Sequence, residues 1–160
     1  MIEITSDAVE AALRYEGSIT LVFASHKRPG GGWQNHEKGQ EEFIARRTNL
    51  VKRLTPYLHL YGNNRAPFYI KLDDVKIENT KERRSFFVCP APVADLYDDP
   101  KTEIQKRIIT ICKNVMSYPV FITGPFGCGL FGNETAYVKA CFEKYAVNPL
   151  VIWVNFNKRK

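Results

Sequence analysis

Two adjacent glutamates and a glycine triplet shortly before them are the residues of this sequence best suited to chemistry. Glycines at positions 30–32 are separated by seven residues from the tripeptide of Gln40, Glu41 and Glu42. Glycines lack a Cβ atom, so backbone N–H groups can approach a ligand closely or form an anion-binding nest. Neighbouring residues on a helix point about 100° apart, so the two carboxylates cannot do the same job. One carboxylate can face a cleft while the other orients a loop or a hydroxyl.

Each of these features also has an interpretation without chemistry. Glu41 and Glu42 can simply satisfy the positive end of a helix dipole, and the glycine triplet can be a flexible surface loop. The combination favours a functional interpretation, because glycines and carboxylates then frame one pocket.

A second glycine-rich segment, residues 124–133, follows a predicted strand and precedes a predicted helix. It holds the pattern GxGxxG at Gly127, Gly129 and Gly132, and the backbone amides of such a turn suit a diphosphate. The same pattern occurs in dinucleotide-binding Rossmann folds, but here only one predicted strand follows it. About 20 residues on, where that fold has a ribose-binding acid, residues 152–155 read Ile-Trp-Val-Asn. The Rossmann interpretation is therefore disfavoured.

Two aromatic residues of this segment, Phe126 and Phe131, allow two interpretations. Each ring can fill the core, or it can lie against a ribose or a base. The sequence leaves both open.

The composition is that of a globular protein, with 44% hydrophobic and 25% charged residues, which excludes a disordered chain. We expect residues 1–160 to form one domain. There is no apolar run near the roughly 20 residues of a membrane span and no signal-peptide pattern. The four cysteines lack metal-ligand spacing and are expected to be reduced thiols of a cytoplasmic protein. The net charge of +6 favours anionic partners, and the basic tail, residues 157–160, is expected to be solvated or to meet nucleic acid.

Strands alternate with helices along the chain, which predicts an α/β fold with parallel strand neighbours. Apolar runs predict strands at 19–24, 68–77, 85–89, 119–123 and 150–156. Helices are predicted after the N-caps Ser6, Asp99 and Asn133, and over residues 40–54. Both glycine-rich loops then begin at the carboxyl ends of strands, where such sheets bind ligands.

The two motifs together resemble those of the poly(ADP-ribose) glycohydrolases, which have a macrodomain fold. The family signature is a glycine triplet followed by Gln-Glu-Glu, and the sequence before it, Phe23, Ala24 and Ser25, is also similar. Residues 124–133 resemble the family's diphosphate loop, usually close to GAFGCGxFGN. The resemblance runs from about residue 19 to the C-terminus and implies a three-layer α/β/α macrodomain with a central mixed sheet.

The resemblance also implies a role for each site residue. Glu42 is then the catalytic carboxylate, and Glu41 holds the ribose hydroxyls and the catalytic loop. The implied substrate-binding residues are Gly30, Gly31, Gly32, Gln40, Gly127, Cys128, Gly129, Leu130 and Phe131. Two positions depart from the family pattern, since Val22 and Arg28 stand where asparagine is usual.

The implied activity is hydrolysis of the ribose–ribose bond of poly(ADP-ribose), releasing ADP-ribose, without a metal or an organic cofactor. We expect the substrate to be carried on protein or nucleic acid. We also expect a monomer without membrane contact, located in the cytoplasm, or in a host cell's cytoplasm or nucleus if the source is viral. Three alternatives stay open: a module that binds ADP-ribose without turnover, a mono-ADP-ribosyl hydrolase, and an enzyme for another small substrate such as ADP-ribose 1″-phosphate.

Overall fold

The computed structural model describes residues 1–62 and 65–156 and has a central sheet of six strands. The strands are β1 (Ile2–Ser6), β2 (Ile19–Phe23), β3 (Ile70–Lys76), β4 (Arg83–Cys89), β5 (Val120–Thr123) and β6 (Leu150–Phe156). Their order is β1-β6-β5-β2-β4-β3, and all neighbours are parallel except β3 and β4. The predicted mixed sheet is therefore confirmed. The basic tail, residues 157–160, lies outside the described residues.

Helices cover both faces of the sheet. They are α1 (Ala8–Arg14), α2 (Gln40–Arg47), α3 (Leu50–Leu54), α4 (Pro100–Val115) and α5 (Thr135–Tyr145). On one face, α4 and α5 share an apolar cluster with Leu21 and Phe121 of the sheet. On the other face, α2 and α3 pack against Val22 and Val88. The alternating side chains of the strands thus supply apolar packing on both faces, and the three-layer α/β/α arrangement is confirmed.

The central strands β2 and β5 position the two glycine-rich loops. They are parallel neighbours, so their carboxyl ends lie at the same edge of the sheet. The first loop, residues 24–39, leaves β2 there, and the second loop, residues 124–134, leaves β5. Within the described ranges, no helix is long and apolar enough to cross a membrane.

The N-terminal strand β1 was not predicted. It pairs with β6 at one edge of the sheet, and its residues Ile2, Glu3 and Thr5 are exposed. A strand so short and so little buried has no continuous apolar run, so its pairing comes from tertiary context. The predicted N-cap Ser6 is wrong for the same segment, because the carboxylate of Asp7 accepts the N–H of Glu10 at 2.7 Å and caps α1 instead.

The helix predicted over residues 40–54 is interrupted at Thr48 and Asn49. Thr48 forms a β-bridge with Ile77. The backbone N–H of Asn49 donates to the carbonyl of Lys76 at 3.0 Å, and its side-chain oxygen accepts the Lys76 N–H at 2.9 Å. The backbone between α2 and α3 is therefore hydrogen-bonded to the end of the edge strand β3 and cannot continue as a helix. Local helical periodicity contains no signal for this tertiary pairing.

Candidate functional site

A cavity of about 830 Å³ lies between the first and second loops at the carboxyl edge of the sheet. All but one of the predicted site residues line it: Gly31, Gly32, Gln40, Glu41, Glu42, Gly127, Cys128, Gly129, Leu130 and Phe131. The exception is Gly30, which is buried beside Trp33 and Val51. Residues from two loops that are distant in sequence thus meet around one space.

Glu41, in the first turn of α2, is only 3% exposed. Its Oε1 accepts the N–H of Ser25 at 2.8 Å, and the N–H of Gly30 lies near the same carboxylate. Burial raises the pKa of Glu41 to about 8; the nearby Glu42 adds to the rise and the two N–H groups oppose it. Glu41 therefore holds a proton at neutral pH. Its Oε2 has no hydrogen-bond partner among the described residues.

Glu42 is half-buried and lines the cavity. Burial is the largest influence on its carboxyl and raises the pKa above the ordinary value, and the charge of Glu37 acts in the same direction. The nearby N–H groups of Glu42 itself, Gly32 and Gly39 lower the pKa, but the net change is a rise. A half-exposed carboxyl with a raised pKa is suited to both giving and taking a proton.

The glycine triplet holds these two carboxylates. The N–H groups of Gly30 and Gly32 lie close enough to Glu41 and Glu42, respectively, to lower the pKa values of these carboxyls. A Cβ atom at Gly31 would lie 2.8 Å from Oε1 of Glu41 and would collide with the carboxylate of Glu42. The triplet therefore lets the loop backbone press against both acids, which larger residues would prevent.

Gln40 ties the start of α2 to the end of β2. Its Nε2 donates to the carbonyl of Leu21 at 2.8 Å, and its Oε1 accepts the N–H of Phe23 at 2.8 Å. Both ends of the amide are thus engaged with the sheet. This clamp fixes the direction in which the following two glutamates point.

The second loop offers free backbone donors to the cavity. Across residues 1–62 and 65–156, no protein acceptor is found for the N–H groups of Gly129, Leu130 and Phe131. Leu130 is fully exposed at the loop tip. Successive N–H groups without acceptors are the donors that an anion requires, so this loop is suited to bind a phosphate.

The second loop is held by Asn133, whose predicted role as N-cap of α5 is wrong. Its side-chain amide donates to the carbonyls of Pro92 and Gly127 at 2.8 and 2.9 Å, and the helix follows Glu134 instead. Gly127 has a φ of +71°, and a Cβ there would lie 2.5 Å from that of Ala91. The base of the loop is therefore fixed by Asn133 and Gly127, while its tip is exposed to the cavity.

The structure distinguishes the two interpretations of the aromatic residues. Phe126 is fully buried within the core that α4 and α5 cover. Phe131 lines the cavity, and its ring centroid lies 5.6 Å from that of His26. Phe126 is thus a core residue, and Phe131 presents an aromatic surface to the site.

Several cavity residues were not predicted. They include charged residues of the first loop and aromatic residues at strand ends, namely Lys27, Arg28, Glu37, Lys38, Phe23 and Phe156. The sequence did contain signals for two of them: Arg28 lies two residues before the glycine triplet, and Phe156 ends a strand predicted to be buried in a parallel sheet.

The arrangement places two carboxyls with raised pKa values and a loop of backbone N–H groups without acceptors around one cavity. In the part of the chain that the structure describes, no three His, Cys, Asp or Glu side chains are grouped to hold a metal ion. The site is therefore able to transfer protons to and from a ligand that carries phosphate.

Comparisons with known proteins show what the chain is similar to. Residues 2–77, which include the first loop and both glutamates, match the family "Microbial-type PARG, catalytic domain". A poly(ADP-ribose) glycohydrolase from Thermomonospora curvata, solved with the inhibitor ADP-HPD, is 22% identical with a TM-score of 0.78, over 97% of this chain and 72% of that one. The enzyme from Deinococcus radiodurans, solved with ADP-ribose, is 23% identical with a TM-score of 0.78, over 98% and 77%. Comparison with the sequences of curated proteins gives no match. The resemblance found in the sequence is thus confirmed for the fold and for the segment that holds the glutamates.

Proposed function

We propose that this chain is a glycohydrolase that releases ADP-ribose from poly(ADP-ribose). It has the fold of the bacterial poly(ADP-ribose) glycohydrolases, and its residues 2–77 match the microbial-type PARG catalytic domain. One observation carries the proposal: a carboxyl pair with raised pKa values faces a loop of free backbone N–H groups across one cavity. The reaction reverses ADP-ribosylation.

The cavity suits an ADP-ribosyl unit in charge and in shape. The N–H groups of Gly129, Leu130 and Phe131 are available to the diphosphate. The rings of Phe131 and Phe156, which line the wall, offer flat apolar surfaces for a ribose or a base. The net charge of +6 attracts so anionic a substrate.

Glu42 acts first as acid and then as base. Its proton goes to the glycosidic oxygen as the bond from that oxygen to the anomeric carbon breaks through an oxocarbenium-like transition state. The ionised carboxylate then takes a proton from water, whose oxygen bonds to the anomeric carbon. The raised pKa of Glu42 keeps part of the enzyme protonated, as the first step requires.

Glu41 orients the substrate and the loop. Its Oε1 is engaged by Ser25 of the first loop, and its Oε2, which is buried without a partner among the described residues, becomes available to a ribose hydroxyl if the loop shifts as substrate binds. Since Glu41 is protonated at neutral pH by virtue of its raised pKa, it can donate a hydrogen bond to that hydroxyl. Because protonated Glu41 is neutral, an ionised Glu42 is not repelled by a second negative charge nearby.

The substrate unit is proposed to be attached to protein or nucleic acid, and the enzyme to act as a cytoplasmic monomer. All four cysteines are free thiols, as is usual in a reducing compartment.

The test is release of ADP-ribose from poly(ADP-ribose) by wild type and Glu42→Gln, with calorimetric titration of both by ADP-ribose. We expect release by wild type only, and a change in ADP-ribose Kd below about tenfold, or 1.4 kcal/mol, because glutamine keeps the shape of the side chain. Turnover by Glu42→Gln would contradict the mechanism. Tight binding by wild type without release would indicate a binding module or a hydrolase for another linkage.

A further inference from the structure

Three cationic side chains line the cavity on the side of the first loop. They belong to Lys27, Arg28 and Lys38. All three residues are exposed, and within the described residues none of their side-chain nitrogens forms an ion pair or a hydrogen bond. Three unpaired cations at one wall form an anion site that the acid–base chemistry does not need.

The backbone brings this wall next to the catalytic carboxyls. The N–H of Gly31 donates to the carbonyl of Arg28 at 3.1 Å, which closes a tight turn. Gly31 in turn contacts both Glu41 and Glu42. Arg28 is thus one turn from the acids, and Lys38 lies two residues before Gln40 on the same loop, whereas the free N–H groups of the second loop follow a different strand across the cavity.

The other charges that face this wall are acidic. Glu37 and Glu42 line the same side, while Glu41 is neutral by virtue of its proton. Three cations therefore outnumber two carboxylates, and substrate binding places a further anion nearby. The balance favours a ligand group with negative charge on this side.

The position of the scissile bond assigns that group. In the proposed reaction, the diphosphate of the glycosyl unit binds the N–H groups of the second loop, and Glu42 must reach the glycosidic oxygen between that unit and its leaving group. Glu42 follows the first loop in the chain, so we place the leaving group on the first-loop side of the cavity, where Lys27, Arg28 and Lys38 line it.

We infer that Lys27, Arg28 and Lys38 form an acceptor subsite that binds the diphosphate of the neighbouring ADP-ribose unit in the polymer, the unit that departs. The inference rests on the proposed function, and it makes a polymer the preferred substrate over ADP-ribose on an uncharged amino-acid side chain. Arg28 is suited to the task, because a guanidinium binds phosphate oxygens in bidentate fashion.

The test measures binding in the Glu42→Gln background, where no turnover removes the ligand. Calorimetry compares ADP-ribose with the ADP-ribose dimer, for the parent and for Lys27→Gln/Arg28→Gln. The matched control is Lys81→Gln/Lys113→Gln, which removes the same charge from exposed residues outside the cavity.

We expect the parent and the control to bind the dimer more tightly than ADP-ribose. The Lys27→Gln/Arg28→Gln pair should weaken dimer binding by about tenfold and ADP-ribose binding by less than about twofold. Equal weakening of both ligands would overturn the subsite, since the cations would then serve the glycosyl unit's own diphosphate. Unchanged dimer binding would overturn it as well. Absence of polymer turnover by wild type would contradict the proposed function alone, because the binding comparison does not depend on turnover.

Discussion

The carboxyl of Glu41 is almost fully buried in the site, so its protonation state affects the surrounding buried groups. Its Oε2 and the hydroxyl of Tyr61 are both buried without a partner among residues 1–62 and 65–156. Burial and the nearby Glu41 both raise the pKa of Tyr61. A protonated Glu41 tolerates this surrounding, whereas an ionised one would have only the N–H groups of Ser25 and Gly30 to stabilise it.

The stability of the chain should therefore depend on pH through Glu41. The folded chain keeps the proton up to about pH 8, whereas an unfolded glutamate releases it near the ordinary value of 4.5. Between these values the unfolded state binds fewer protons, so the free energy of unfolding falls as pH rises. Glu41→Gln removes the effect, and its advantage over wild type should grow by about 3 kcal/mol between pH 4.5 and pH 7.

Denaturant titrations of both proteins across that pH range measure the gap. Glu78→Gln, at an exposed turn position, is the control, and its difference from wild type should stay constant. A constant gap for Glu41→Gln would mean that Glu41 is ionised in the folded chain.

The second loop contains glycines of two kinds: Gly127 is required for the conformation of the loop, whereas Gly129 lies at the tip that faces the ligand. Gly127→Ala should destabilise the protein by about 2 kcal/mol, since the residue has a φ of +71° and its Cβ would press on Ala91. Gly129→Ala should change stability by less than about 0.5 kcal/mol, because a Cβ there meets no atom within 4 Å. Urea denaturation without ligand measures both. Similar losses in the two variants would show that the loop tip is also part of the scaffold.

The elements that were predictable from sequence are those with a local signal. The strand β2 has a continuous apolar run, and α4 begins directly after Asp99, which caps it as predicted. The break at Thr48 was not predictable, because it depends on Lys76 and Ile77 of a strand that is distant in sequence. Local pattern therefore indicates that an element exists, while tertiary contacts decide where it starts, as at Ser6 and Asn133, and where it is interrupted.

The site follows the same rule. The loops were predictable because glycines and paired glutamates are local motifs. That Gly30 and Gly32 hold the two carboxylates was not, since their N–H groups reach residues beyond the loop. In the sequence, Lys27 and Lys38 cannot be distinguished from other surface lysines. The fold places both of them at the same cavity.

At the scale of the whole molecule, the cavity joins parts of the chain that are far apart in sequence. Its walls come from the loops after β2 and β5 and from Phe156 at the end of β6. These strands are neighbours in the order β6-β5-β2. A ligand in the cavity therefore bridges three central strands, and its binding energy should resist unfolding of the entire sheet rather than of one loop.

ADP-ribose should accordingly stabilise the protein as a whole. At about 100 times its Kd, a ligand that binds only the folded state adds about 2.7 kcal/mol to the free energy of unfolding, or roughly 5–10 °C in Tm at this chain length. Glu42→Gln should keep the shift. Gly129→Val should lose most of the Tm shift at the same ADP-ribose concentration, because the new side chain occupies space that the ligand needs. Its Tm without ligand should stay near that of wild type, since no protein atom lies within 4 Å of a Cβ at this position. Thermal melting with and without ADP-ribose measures all three proteins. A full shift in Gly129→Val would exclude the tip of the second loop from the binding site, and with it the orientation of the substrate on which the acceptor subsite depends.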